Sequence, residues 1–287
     1  MDVFIRSLNG LLMMAIPVAL GVWLASRYRA PWGVFVAGAV TFVLSQVGHL
    51  PFNQFLLSPF ALSMGWVALD GTISITGAIV YGLSAGVFEE LARYLILRFW
   101  KRDVRNWGEG MMFGAGHGGI EAVLLGGLAL TALIQALAAR GVEDLSTLVA
   151  PDQIEMLQAS LESYWALPWY AALLGAFERL LAMTLHLSLT LLVIQGLRSG
   201  KAGWLGAAIV WHAFADALVV YIAGAYGAYV AEAVLLLPTA GSLAWILYTW
   251  RQWKEPPDEE APELALASLE KVDVQLERTE LDDSRYQ

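Results

Sequence analysis

Cysteine is absent from the 287 residues, so the chain has no disulfide framework, no thiolate nucleophile and no Cys-ligated metal centre. Charge is scarce, at 15% of residues against 58% hydrophobic, a balance that excludes an ordinary soluble domain. The formal net charge is -9, and no basic groove is present to hold nucleic acid. Also missing are a phosphate-cradling glycine loop, an HExxH zinc helix and a defensible Ser-His-Asp arrangement. Internal repeats and paired broken helices, the marks of many transporters, are not found either.

What the chain has is apolar length. Seven runs, at about 8–26, 31–50, 72–98, 108–139, 166–197, 202–224 and 227–250, can each cross the roughly 30 Å hydrocarbon core as a helix. The fourth and fifth exceed a simple span and must tilt or project. The expected fold is therefore all-α, a polytopic membrane bundle over residues 1–253. Arg27 and Arg29 follow the first apolar run rather than precede it, so that run reads as an uncleaved span and not as a signal peptide.

The connections sort by charge. Arg27 and Arg29, then Arg98, Lys101, Arg102 and Arg105, then Arg198 and Lys201, then Arg251 and Lys254 follow alternate spans. The positive-inside rule puts these connections in the cytoplasm, the amino terminus outside and the carboxyl end inside. From Glu255 to Gln287 there are eleven acidic and three basic residues, a segment charge of -8. Residues 254–287 read as a solvated acidic tail, either simply solubilising or a docking segment for a cytosolic partner. The connection from Arg140 to Tyr164 lies outside in this topology, with a short helix expected over Pro151–Leu161.

Ionisable groups inside such spans cost roughly 2.5 to 3.5 kcal/mol each on insertion scales, so a set of them marks a site. All four histidines, His49, His117, His186 and His212, lie in apolar stretches. Counting inward from the cytoplasmic ends at 1.5 Å per residue puts Glu89, His117, His186 and His212 at a common depth of about 13 to 17 Å, on four helices. His49 falls near the outer end of its span and reads as a satisfied structural histidine. Glu89 and Arg93 share one face, and Glu90 with Tyr94 the next, so Arg93 is available to either carboxylate. Glu121 lies one turn after His117, and Asp216 one turn after His212, where a carboxylate can orient an imidazole. Glu178 and Arg179 are placed for an internal ion pair. The run Gly114-Ala115-Gly116-His117-Gly118-Gly119 allows either close helix packing or a gap beside His117. The set can activate water for attack on a carbonyl, or hold a divalent metal through His117, His186 and His212.

In order and spacing these residues resemble known motifs. Glu89-Glu90-Leu91-Ala92-Arg93, Phe113 to His117, His117 to Glu121, Glu178-Arg179 with His186, and His212 to Asp216 are similar to the motifs of glutamic-type intramembrane proteases. That clan holds the CAAX-processing and bacteriocin-processing family and the PrsW proteases, and within it the chain most resembles the YhfC family, over about residues 30–250. The resemblance implies a bacterial plasma-membrane endopeptidase acting on a membrane protein or lipidated peptide. It makes Glu89, with Glu90 beside it, the site of water activation and His117 a holder of the same water. It makes His212 and Asp216 the oxyanion pair, with Arg93, Glu121, Glu178, Arg179 and His186 accessory. It implies no cofactor; a divalent metal stays open from the histidines. Two rival classes share the residues: a non-catalytic partner-binding or immunity protein, and a haem-binding or proton-coupled transport protein.

Overall fold

A computed structural model describes residues 2–142 and 144–253; the acidic tail lies outside the described residues. Among them are nine α-helices and no strand: α1 (Asp2–Tyr28), α2 (Trp32–Phe52), α3 (Ser58–Ser63), α4 (Ile75–Leu95), α5 (Trp107–Arg140), α6 (Ile154–Ala166), α7 (Leu174–Ser199), α8 (Gly203–Tyr226) and α9 (Ala228–Gln252). Seven stretches are long and apolar enough to span a membrane. The burial pattern is inverted relative to a soluble protein. Glu89, Glu90, Arg93, His117, Arg179, His186 and His212 are buried, while Val47, Val210, Leu128 and Leu237 are exposed along the spans. In lipid that is the favourable arrangement, because apolar side chains face hydrocarbon and polar groups satisfy one another inside.

The helix ends follow local chemistry. Ser74 Oγ accepts from the Gly77 amide to cap α4, and Asn106 Oδ1 accepts from the Glu109 amide to cap α5. α7 stops at Gly200, whose φ of +67° is the left-handed conformation glycine supplies at helix ends. α1 begins six residues before the predicted start at residue 8, at Asp2, because Arg6 finds partners: its guanidinium bonds the Tyr164 carbonyl and lies 4.2 Å over the Tyr164 ring. The second span continues past Pro51 through a π-helical turn, Asn53–Leu57, into α3. The expected short helix after residue 150 is α6, with no buried residue.

The core is organised around α5 and α7. α1 and α2 pack on α5, α5 on α7, and α8 and α9 on α7 and each other, with α4 against α2 and α8. Four of these helices carry the buried ionisable groups toward one another.

Candidate active site

Glycines bring the functional helices together. A Cβ on Gly38 of α2 would stand 2.0 Å from the Phe113 carbonyl oxygen and 2.9 Å from the His117 amide. One on Gly116 of α5 would lie 1.9 Å from the Phe35 oxygen, and one on Gly86 of α4 2.7 Å from the Ile209 oxygen of α8. At Gly118 the added carbon would meet the His186 ring at 2.9 Å. The small residues around His117 are thus taken up by packing, which decides between the two readings of that run. The gain is position: backbones in near contact set His117, His186, Glu89 and His212 side by side.

The two neighbouring glutamates have different partners. Both oxygens of Glu90 accept from Arg93, and Glu90 Oε1 also accepts from His212 Nδ1 at 2.8 Å. Glu90 and Arg93 are fully enclosed, at 0% exposure. Glu89 points the other way. Its Oε2 accepts from His117 Nε2 at 3.1 Å, and its Oε1 from Gln46 Nε2 of α2 at 3.1 Å. His212 Nε2 faces Asp216 Oδ2 at 3.5 Å and Glu89 Oε2 at 4.0 Å, so carboxylates flank both of its nitrogens.

His186 is held on both sides. Arg93 Nη2 donates to its Nδ1 at 3.3 Å, and its Nε2 donates to Glu121 Oε2 at 2.9 Å. Glu121 Oε1 accepts from Arg179 Nη1 at 2.8 Å, and Arg179 also pairs with Glu178. Glu121 therefore orients His186 across the helix interface rather than His117 on its own helix. The reason is geometric: α7 presents both Arg179 and His186 to it, while Glu89 of α4 already holds His117. The three imidazoles form a contiguous layer, with ring centres 5.2 Å apart for His117 and His186 and 5.5 Å for His186 and His212. Direct contact among the rings is the reverse of what a macrocycle between two axial histidines needs.

All ten candidate site residues named from the sequence lie in this one connected network. Gln46 was not among them, because a search for ionisable groups passes over a neutral carboxamide. Glu232 of α9 was missed too; its Oε2 is buried without a hydrogen-bond partner, and the residue sits close enough to Glu178 and Arg179 to feel both charges. The signal was a lone acid four residues into an apolar helix. His49 is bonded to Gln46, so it is satisfied as expected, yet it is not separate from the layer.

Glu89, His117 and His186 can each offer a ligand atom, all within 4.8 Å of one another. Two imidazoles and one carboxylate, with a coordination position to spare, form a donor set that catalytic zinc uses. The nearby Arg93 charge is neutralised by Glu90, and His117 Nδ1 is a buried nitrogen with no partner, so the residues suit a divalent ion. His212 is not in this group; its Nε2 faces Asp216 and Glu89 at 3.5 and 4.0 Å. The ligands read from the sequence thus exchange His212 for Glu89.

A family model described as "YhfC intramembrane metalloprotease" matches residues 12–236. The "Uncharacterized membrane protein YhfC" of Bacillus subtilis (strain 168) is 32% identical over 248 residues, covering 84% of this chain and 93% of that protein. No solved structure matches. With seven apolar spans, a family model matching most of its length and a membrane-protein relative, this chain is a multi-pass membrane protein of the YhfC family.

Proposed function

We propose that the protein is an intramembrane endopeptidase that hydrolyses a peptide bond of a membrane protein or lipidated peptide. The observation that carries this reading is the asymmetry of the glutamate pair. Glu90 is spent on Arg93 and His212, while Glu89 faces His117 in a layer of three imidazoles buried among the spans. The family model's description, an intramembrane metalloprotease, supports the same class of reaction.

A water bonded to Glu89 beside His117 gives a proton to the Glu89 carboxylate as its oxygen bonds to the scissile carbonyl carbon. The oxygen of that carbonyl gains negative charge and is met by His212, which Glu90 holds through Nδ1. His212 Nε2 is the nitrogen left to donate to the oxyanion, and Asp216, 3.5 Å from that nitrogen, orients it rather than touching the oxyanion. Collapse breaks the C–N bond, and Glu89 returns the proton to the leaving amine. Arg93 and Glu121 keep His186 fixed against the layer. Glu89, His117 and His186 are the residues that would hold a divalent ion, which when bound supplies Lewis-acid polarisation of water.

The test is cleavage of quenched single-span peptides by the detergent-purified protein. Wild type cuts, and Glu89→Gln and His117→Ala fall by about 10²- to 10⁴-fold, the usual contribution of a positioned acid–base group. Loss of cutting on chelation, restored by a divalent metal, assigns the Glu89–His117–His186 set to an ion; cutting that survives chelation assigns Glu89 as a metal-free base. Absence of cutting by a folded wild type against the whole library would move the protein to the binding or immunity class.

A further inference from the structure

Glu89 has a second neighbour that the mechanism above does not use. Its Oε1 accepts from Gln46 Nε2 at 3.1 Å, and from there hydrogen bonds continue along α2. Gln46 Oε1 accepts from His49 Nδ1 at 3.2 Å, His49 Nε2 accepts from Asn53 Nδ2 at 2.9 Å, and Asn53 Oδ1 accepts from Ser84 Oγ of α4 at 2.8 Å. Gln46, His49 and Asn53 fall at helical spacing on one face, turned toward α4. The His49 ring also stacks on Phe88, with centres 5.5 Å apart.

The direction of the chain follows from its inner end. Gln46 turns its NH₂ toward Glu89 and its oxygen toward His49, the arrangement that an ionised Glu89, which only accepts, requires. Only the Nδ1–H tautomer of His49 can then donate to Gln46, and its bare Nε2 takes the Asn53 donor. Asn53 and Ser84 can each donate or accept, so neither would fix this direction alone. A passive filler between α2 and α4 would need none of this order.

We infer, on the strength of the hydrolytic reading of Glu89, that His49 is a positioning residue for Glu89, acting through the Gln46 carboxamide. It holds Gln46 in one orientation, and Gln46 holds one carboxylate oxygen, leaving Oε2 to His117 and the water. Selective ¹⁵N labelling of the four histidines makes the first measurement direct, with His49 assigned by substitution. The wild-type protein is expected to show His49 protonated at Nδ1 and bare at Nε2. Glu89→Gln, whose side chain both donates and accepts, releases the direction and mixes the tautomers. An Nε2–H tautomer in wild type, or an identical His49 spectrum in Glu89→Gln, overturns the link whether or not any peptide is cut.

The second measurement is kinetic. Asn places a nitrogen where His49 has Nδ1, Gln places one near Nε2, and Phe keeps the stacking on Phe88 with no polar atom. His49→Gln and His49→Phe should lose kcat by about 10- to 100-fold at unchanged KM, while His49→Asn stays within about threefold, as for hydrogen-bond partners standing behind a reactive group. Thermal transitions establish that each variant is folded. Equal activity of folded Asn and Phe variants, at wild-type level or far below it, would overturn the assignment. A wild type that cuts nothing would instead overturn the protease reading, with the tautomer measurement still deciding the link.

Discussion

Glu89 and Glu90 diverge by about 100° around α4, and the neighbours that each meets decide how it behaves when changed. Glu90 neutralises Arg93, and neither has any solvent exposure. Glu90→Ala leaves a guanidinium unpaired in the bundle interior and frees His212 Nδ1, so it should cost about 3–5 kcal/mol, the usual penalty for breaking a buried ion pair from one side. Glu89→Gln keeps the size of the side chain and a bond to Gln46. Its thermal transition in detergent should stay close to wild type while cleavage falls by about 10²- to 10⁴-fold. Equal loss of stability in both variants would show that the two carboxylates are not divided between holding and reacting. This division was only half legible in the sequence: helical spacing says that adjacent glutamates cannot face the same way, but the partner of each comes from α5 and α8. The depth count grouped Glu89, His117, His186 and His212, and the four side chains do meet in one layer. It set His49 aside because rise per residue ignores the reach of side chains, and Gln46 spans the one turn between His49 and Glu89.

At the level of helices, the seven spans were readable because each apolar run needs only length. Their partners were not, since a glycine looks alike wherever it faces. The close approach of α2 to α5 makes the difference testable. Gly38→Ala and Gly116→Ala would force methyl groups to within 2.0 Å and 1.9 Å of carbonyl oxygens on the facing helix. Backbone cannot yield as a side-chain end can, so each should cost about 1–3 kcal/mol or more by overpacking and displace His117. Gly33→Ala and Gly127→Ala, with nothing within 4 Å of the added carbon, should be neutral or slightly stabilising. Thermal transitions of the four proteins check the contrast, and a Gly38→Ala protein as stable as Gly127→Ala would contradict the observed α2–α5 contact. The π turn after Phe52 had no such signature, because Pro51 in an apolar run predicts an end and not a continuation.

For the whole molecule, the open structural question is which way the bundle faces, and the absence of cysteine makes it accessible to labelling. The basic residues Arg98, Lys101, Arg102 and Arg105 cluster in the connection between α4 and α5, while the connection between α3 and α4 carries Asp70 and no basic residue. Because Lys and Arg resist translocation far more than Asp and Glu do, the first connection should be cytoplasmic and the second outside. A single cysteine at Asp70, exposed in its turn, should react with an impermeant maleimide in intact cells; one at Arg102 should react only after the membrane is opened. The reverse pattern would invert the bundle and overturn the orientation read from the charges. In the predicted orientation, Glu89, His117 and His186 lie about 13 to 17 Å from the cytoplasmic edge, near the middle of the roughly 30 Å core, and substrates must present their scissile bond at that depth. The labelling result therefore fixes the orientation in which single-span peptides are offered in the cleavage assay, because the depth of the scissile bond is counted from the cytoplasmic edge.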